Sequence, residues 1–248
     1  MSLSFNRSDG RQSDELRPIE IITDYIAYPE GSILFKSGNT QVLCNATIEN
    51  GIPKWLENSG RQEGWVTAEY AMLPRATLTR SNRDNGSSSR SQEIKRLIGR
   101  SLRAAVDLPK LAGYTITLDC DVLQADGGTR TAAINGAVLA LAIAIHRYAQ
   151  QGLLPLEAFS QLISAVSVGI VAGEPLLDLA YREDSQAETD MNLVMTADDR
   201  FIEIQGTAEG QPYSSNELNQ LLNLGHAGIQ SIRAKQIAVL DTLASRFH

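Results

Sequence analysis

Four carboxylates fall within eight positions at Glu183, Asp184, Glu188 and Asp190. Carboxylates this close repel one another unless water, a shared proton or a cation lies between them. A hard divalent ion takes a few carboxylates together with waters and phosphate oxygens. The cluster is therefore a metal site or a solvated acidic loop, and its spacing leaves both readings open. A second constellation, Gly127-Gly128-Thr129-Arg130, stands before a long apolar segment. Glycines let backbone approach an anion, free N–H groups at a helix start favour negative charge, and an arginine offers phosphate a planar fork. The same four residues suit a tight turn in which the glycines supply unusual backbone angles and Arg130 pairs with a carboxylate. Their spacing matches neither the P-loop nor the dinucleotide fingerprint. His146, His226 and His248 stand apart from any metal-ligand spacing. No nucleophile elbow is present, and Trp55 and Trp65 read as core or interface residues before base-stacking platforms.

Charge places these groups in context. The net charge is −7, which argues against coating nucleic acid through bulk electrostatics. Between Arg75 and Lys110, however, nine basic residues face three acidic ones. From Glu174 to Glu217 the balance reverses, with eleven carboxylates against Arg182 and Arg200. A basic and an acidic region meeting at one site would hold phosphates on one side and a divalent cation on the other.

The elements that must position these groups follow from patterning. Residues 18–28 and 32–49 read as extended segments joined by the turn Pro29-Glu30-Gly31, and a further strand pair is expected around 64–73. The stretch 80–91 lacks apolar residues and reads as a mobile surface loop. Ile94, Leu97, Ile98, Leu102, Ala105 and Val106 recur at helical spacing, with Lys95, Arg96, Arg100 and Arg103 as a basic flank. Residues 114–122 alternate as a half-buried strand, and residues 132–148 form a helix apolar on nearly all sides. A weaker helix is expected over 156–164, then a hairpin at Gly173-Glu174-Pro175 and strands at 192–196 and 200–205. Two C-terminal helices close the chain, the first opened by the capping box Ser214-x-x-Glu217 and the second running from about Gly228 to Phe247. The class is α+β or mixed α/β, a single domain of residues 1–248 with halves of about 16–150 and 156–248.

With 248 residues and 43% hydrophobic content, the chain can bury a sizeable core without staples. Cys44 and Cys120, each in an apolar segment, read as reduced buried thiols. The polar N-terminus lacks the apolar run of a secretory signal. The densest apolar run, residues 137–145, is too short to span a bilayer. A soluble, cytoplasmic protein without membrane partners is expected.

Several ordered blocks resemble ribonuclease PH: GWVTAEYAMLPRAT (64–77), EIKRLIGRSLRAAVD (93–107), TITLDCDVLQADGGTRTAAINGA (115–137), AVSVGIVAGE (165–174), EDSQAETDMN (183–192) and EIQGTAEG (203–210). The resemblance runs from about Leu16 almost to the C-terminus. It implies two βαβα-like halves packed as one domain and a homohexamer built as a trimer of dimers. It also implies phosphorolysis of RNA, typically at transfer RNA 3′ ends, with inorganic phosphate as co-substrate, nucleoside diphosphates as products and Mg²⁺ or Mn²⁺ as cofactor. The family's phosphate-binding arginine falls on Arg90 and its G-T-R loop on Gly128, Thr129 and Arg130. The aspartates used for metal and acid catalysis fall on Asp184 and Asp190. Arg75, Arg80 and Arg83 take positions implied in RNA contact or ring assembly. The loop between Arg80 and Arg90 departs from the family pattern, being shorter and serine-rich. The residues by themselves leave room for a hydrolytic metal nuclease or a silent RNA-binding ring subunit.

Overall fold

The computed structural model describes residues 7–83 and 88–246 of the chain. Strands β1 (Ile19–Thr23), β2 (Gly31–Ser37) and β3 (Thr40–Asn50) form an antiparallel meander. After the short α1 (Lys54–Glu57) come β4 (Trp65–Met72), α2 (Ser89–Arg103) and β5 (Tyr114–Gln124), and the sheet order is β1-β2-β3-β5-β4. Because β4 and β5 run parallel, they need a crossover, which α2 supplies. Its buried stripe of Ile94, Leu97, Ile98 and Leu102 packs on β4. Along β5 the alternation is realised, with Ile116, Leu118, Cys120 and Val122 buried and the intervening residues part exposed.

α3 (Thr129–Gln150) lies against β2, β3 and β5 of this sheet and against β6 of the second. A helix covered on both sides has no use for a polar face, and every residue from Thr129 to Ile145 except Arg130 is buried. Its 22 residues are long and apolar enough to cross a bilayer, but that surface is taken up inside the protein. The buried Asn135 ties it to β6, its amide donating to Ala165 O and accepting from Ala165 N, both at 2.8 Å.

The second sheet contains β6 (Ile163–Val171), β7 (Glu174–Leu177), β8 (Thr189–Thr196) and β9 (Phe201–Ala208) in the antiparallel order β7-β6-β8-β9. α4 (Tyr181–Asp184) interrupts it between β7 and β8, and α5 (Ser215–Arg246) packs on β6, β7 and β8. All nine residues of β6 are buried, as befits a strand covered by α3 on one face and α5 on the other. Cys44 and Cys120 are buried free thiols, as expected.

The mixed α/β class is as the sequence implies, and several boundaries differ. The extended segment 32–49 is two strands turned at Gly38 and Asn39, and the segment 18–28 is strand only to Thr23 because Asp24 takes a positive φ of 55°. A single strand, β4, stands where a pair is expected around 64–73. The helix expected over 156–164 is a 3₁₀ turn at Leu156–Ala158, after which the chain enters β6. The second helix of the first half begins at Ser89, so the expected loop covers less of 80–91, and residues 84–87 lie outside the described residues. His248 also lies outside them.

The two expected C-terminal helices are one. The capping box is present: Ser214 N donates to Glu217 Oε2 at 2.6 Å and Glu217 N to Ser214 Oγ at 3.3 Å. Gly228 does not break the helix. A Cβ on Gly225 would lie 2.2 Å from Leu193 Cδ1, and one on Gly228 would lie 2.6 Å from Leu177 Cδ1. These glycines serve close packing on the sheet, and the helical cost of about 1 kcal/mol each is offset by that contact.

Candidate active site

A cleft of about 500 Å³ between the two halves is lined by Arg90, Gly128, Thr129 and Arg130 from the first and Asp184 and Asp190 from the second. All six residues expected to bind phosphate or metal therefore meet, although they come from three distant stretches of chain.

Arg90 is exposed in the first turn of α2. Ser88 caps that helix, its side chain accepting from Ser91 N at 3.1 Å. The packing of α2 on β4 thus sets where Arg90 can reach.

The glycine turn leads straight into α3. Gly128 is its N-cap at φ 64°, and no side chain caps the first turn. The first-turn N–H groups have no intrahelical partner by construction, and here they occur at the cleft. Thr129 is held from β4 by Tyr70, whose hydroxyl donates to Thr129 Oγ1 at 2.8 Å. Arg130 Nη2 donates to Glu93 Oε2 at 2.9 Å, and Glu93 Oε1 accepts from Gln205 Nε2 at 2.7 Å. Burial would raise the Glu93 carboxyl, but the Gln205 and Arg130 hydrogen bonds and the Arg130 and Arg90 charges hold it below its ordinary value. Both readings of the turn are thus partly realised, because Arg130 pairs with a carboxylate and still lines the cleft.

Gly127, at φ 74°, has a separate task. A Cβ there would lie 2.4 Å from Leu179 O and 2.8 Å from Tyr181 N. The turn of the first half touches the backbone of the second just before α4, and Tyr181 N also donates to Asp126 Oδ1 at 3.3 Å.

Opposite stand Asp184, the last residue of α4, and Asp190, the second of β8. Burial and the Asp184 charge push the Asp190 carboxyl up to about 6, against the lowering pull of Arg130 and Arg90. Burial also raises Asp184, although Arg90, Arg130 and Arg17 pull it down. Two half-buried carboxylates, both raised by burial and Asp190 also by the charge of Asp184, form a site that a cation relieves. Among the described residues no three or more His, Cys, Asp or Glu side chains are placed to hold a metal ion. The pair fits a Mg²⁺-like ion, which takes one or two carboxylates and completes its shell with waters and substrate phosphates.

Arg75, Arg80 and Arg83 are exposed and do not line the cleft, but Thr77, Leu78 and Thr79, between Arg75 and Arg80, do, so those two arginines adjoin its rim. The basic flank of α2 is partly neutralised. Lys95 pairs with Glu69, Arg100 Nη1 lies 2.8 Å from Glu203 Oε2, and Arg103 stacks 4.4 Å from the Trp65 ring centroid. Trp65 also meets Trp55 edge to face at 4.8 Å.

Sequence reasoning missed Ser167, Asn192 and Tyr181, which line the cleft as well. Two signals were available. Asn192 lies two residues beyond Asp190 on the same face of a strand, and Ser167 interrupts an otherwise apolar run. It also missed the N-terminal arginines. Arg7 is buried against Glu183, with Nε to Oε1 at 2.7 Å and Nη2 to Oε2 at 2.8 Å. Arg17 is buried against Asp178, with Nη2 to Oδ1 at 2.6 Å. These pairings are long-range, so no local pattern announces them.

Asp178 makes the fold acid-sensitive. Burial would raise its carboxyl, but hydrogen bonds and charge from Arg17, aided by Arg11, hold it below the ordinary carboxylate value. A depressed folded-state pKa contributes stability that is complete above the unfolded value, about 4, and is lost as pH falls through the folded one. The melting temperature of the wild type should therefore fall steeply below about pH 4, whereas Asp178→Asn should be less stable at pH 7 and lose less on acidification. Parallel melting curves for the two proteins from pH 7 to 2 would contradict this.

Comparison with known proteins bears on the family and the fold. Residues 15–145 match the family model described as 3′ exoribonuclease family, domain 1, and residues 161–228 match domain 2 of the same family. A chain of an Archaeoglobus fulgidus exosome, solved with RNA bound to the active site, is 27% identical with a TM-score of 0.81, covering 93% of this chain and 92% of that one. A chain of an archaeal exosome core is 26% identical with a TM-score of 0.78, covering 93% and 91%. Rice (Oryza sativa) Rrp46 is 21% identical with a TM-score of 0.75, covering 94% and 100%, and bears on the fold alone.

Proposed function

The chain belongs to the ribonuclease PH family of 3′ exoribonucleases, and from that premise we propose that it shortens RNA from the 3′ end by phosphorolysis, releasing nucleoside diphosphates. The observation that carries the reading is the convergence of Arg90, Gly128–Arg130, Asp184 and Asp190 on one cleft. Cations and open amides on one wall suit the attacking phosphate, and carboxylates on the other suit a metal ion beside the scissile linkage.

In this scheme inorganic phosphate sits among Arg90, Arg130 and the amides of Gly128 and Thr129. The two guanidinium groups offset repulsion between the incoming phosphate and the RNA backbone and hold the attacking oxygen in line, so rate comes mostly from positioning and electrostatics. Asp184 and Asp190 hold a divalent cation, Mg²⁺ or Mn²⁺, which when bound supplies positive charge at the scissile phosphate. One aspartate of the pair protonates the departing 3′ oxygen, and the value of about 6 for Asp190 belongs to the cleft without a cation. One phosphate linkage replaces another, so the reaction runs backward as nucleotidyl transfer when nucleoside diphosphates are abundant.

Precursor transfer RNA 3′ ends are the proposed substrate, Arg75, Arg80 and Arg83 grip RNA at the rim or contact neighbouring subunits, and the working unit is a homohexameric trimer of dimers in the cytoplasm. The exosome relatives support RNA binding and oligomeric assembly. One assay tests the reading: RNA is incubated with Mg²⁺, with and without phosphate, and the released mononucleotide is identified. Diphosphates that appear only with phosphate are expected. Monophosphates without phosphate would indicate hydrolysis, and absence of any product would indicate a non-catalytic ring subunit.

A further inference from the structure

Residues before β1 make contacts that ordinary chain closure does not require. Arg17 is 4% exposed and is not a cleft residue. Its Nε and Nη2 donate to Asp178 Oδ2 and Oδ1 at 3.0 and 2.6 Å. On its other side, Nη1 donates to Asp126 O and Nη2 reaches Gly127 O at 3.5 Å. Thr40 Oγ1 donates to the same Gly127 carbonyl at 2.7 Å. The peptide unit is planar and trans, so fixing the Gly127 carbonyl also fixes the Gly128 N–H, which points the opposite way. Arg17 and Thr40 thereby set the aim of an amide assigned to phosphate.

Arg7 performs the corresponding task on the acidic side. It clasps both oxygens of Glu183 and donates from Nη2 to Asp178 O at 3.0 Å. Glu183 Oε2 also accepts from Ala180 N at 2.8 Å, holding the start of α4. α4 has only four residues, too few to persist without outside support, and Asp184 directly follows Glu183 in it. Buried ion pairs are poor sources of net stability because desolvation offsets their attraction, but a two-pronged arginine pair is strict in geometry.

We propose that residues 7–17 form a positioning clamp across the two halves, in which Arg17 orients the phosphate-binding turn and Arg7 orients the metal-binding carboxylate Asp184. The inference rests on the phosphorolytic reading for the identity of the two ligands. Neither arginine touches substrate, so both are positioning residues.

The test uses full-length Arg17→Met and Arg7→Met proteins and two measurements that need no turnover: calorimetric binding of inorganic phosphate, and binding of Mn²⁺ followed by electron paramagnetic resonance. Residues that orient a ligating group are commonly worth about 10- to 100-fold in affinity. Arg17→Met should weaken phosphate binding by at least about tenfold with a much smaller change for Mn²⁺, and Arg7→Met should show the reverse. Arg17→Lys, which keeps the charge but not the fork, should recover only part of the phosphate affinity. If either methionine variant lacks the wild-type far-UV spectrum, the lysine variant at that position takes its place. Equal shifts in both ligands for both variants would reduce the clamp to general stability, and no shift in either would remove it. A wild-type chain that binds neither ligand would instead defeat the reading on which the clamp rests.

Discussion

Arg130→Ala is expected to lower phosphate-dependent release of nucleoside diphosphates by about 100- to 1,000-fold, the usual effect of deleting one preorganised charge from a reaction centre. Arg130 sits at the start of the central helix, where its guanidinium adds to a positive helix end and donates to Glu93. Truncation would remove one of the two cleft cations and leave Glu93 beside the phosphate position, so a repulsive group replaces an attractive one. The loss should be largest at limiting phosphate and should shrink as phosphate rises, while binding of RNA without phosphate changes little. Because Arg130 is the one residue in its stretch of α3 that is not buried, the melting temperature should move by only a few degrees. Single-turnover assays across a phosphate series check the prediction, and wild-type rates at low phosphate would reject the role given to Arg130.

Gly127→Ala is expected to be nearly as damaging for a different reason. At φ 74° an alanine is strained by about 1–2 kcal/mol. Its methyl would also lie 2.4 Å from Leu179 O, a backbone atom that cannot rotate away. The turn and the chain entering α4 must then separate, widening the distance between the phosphate wall and Asp184. Misplacement of reacting groups by about 1 Å can cost about 100-fold, so a loss of that order in turnover is expected together with a lower melting temperature. Gly128→Ala carries the same backbone strain at φ 64° but meets Arg17 Nη2 at 3.0 Å and no backbone of the second half, so its damage should come through the phosphate-binding turn and not through separation of the halves. Gly127→Ala with wild-type turnover and melting temperature would show that the halves do not need that approach.

Dense local patterns made the turn at 127–130, the acidic run at 183–190 and the basic helix after Arg90 easy to pick out, but the turn and the acidic run each kept a plain structural reading beside the chemical one, and the resemblance to a family supplied the roles of Arg90, Gly128–Arg130, Asp184 and Asp190. Strand β5 and helix α3 were equally readable, one from alternation and the other from apolarity on all sides. The failures share a cause. Gly38 and Gly228 look alike as punctuation, yet one turns a hairpin and the other lies inside a helix because Leu177 needs the space. Arg7 and Arg17 look like an ordinary charged start because Glu183 and Asp178 are more than 150 positions away. Spacing along the chain cannot reveal a partner brought near only by folding.

Arg90 is exposed, and Arg130, Asp184 and Asp190 are only half-buried, so none of the four fills the hydrophobic interior. Any of them can be exchanged without opening a cavity there. On the phosphorolytic reading, turnover is therefore easier to lose than architecture: one substitution would empty the cleft of its chemistry and leave the buried core of the fold intact.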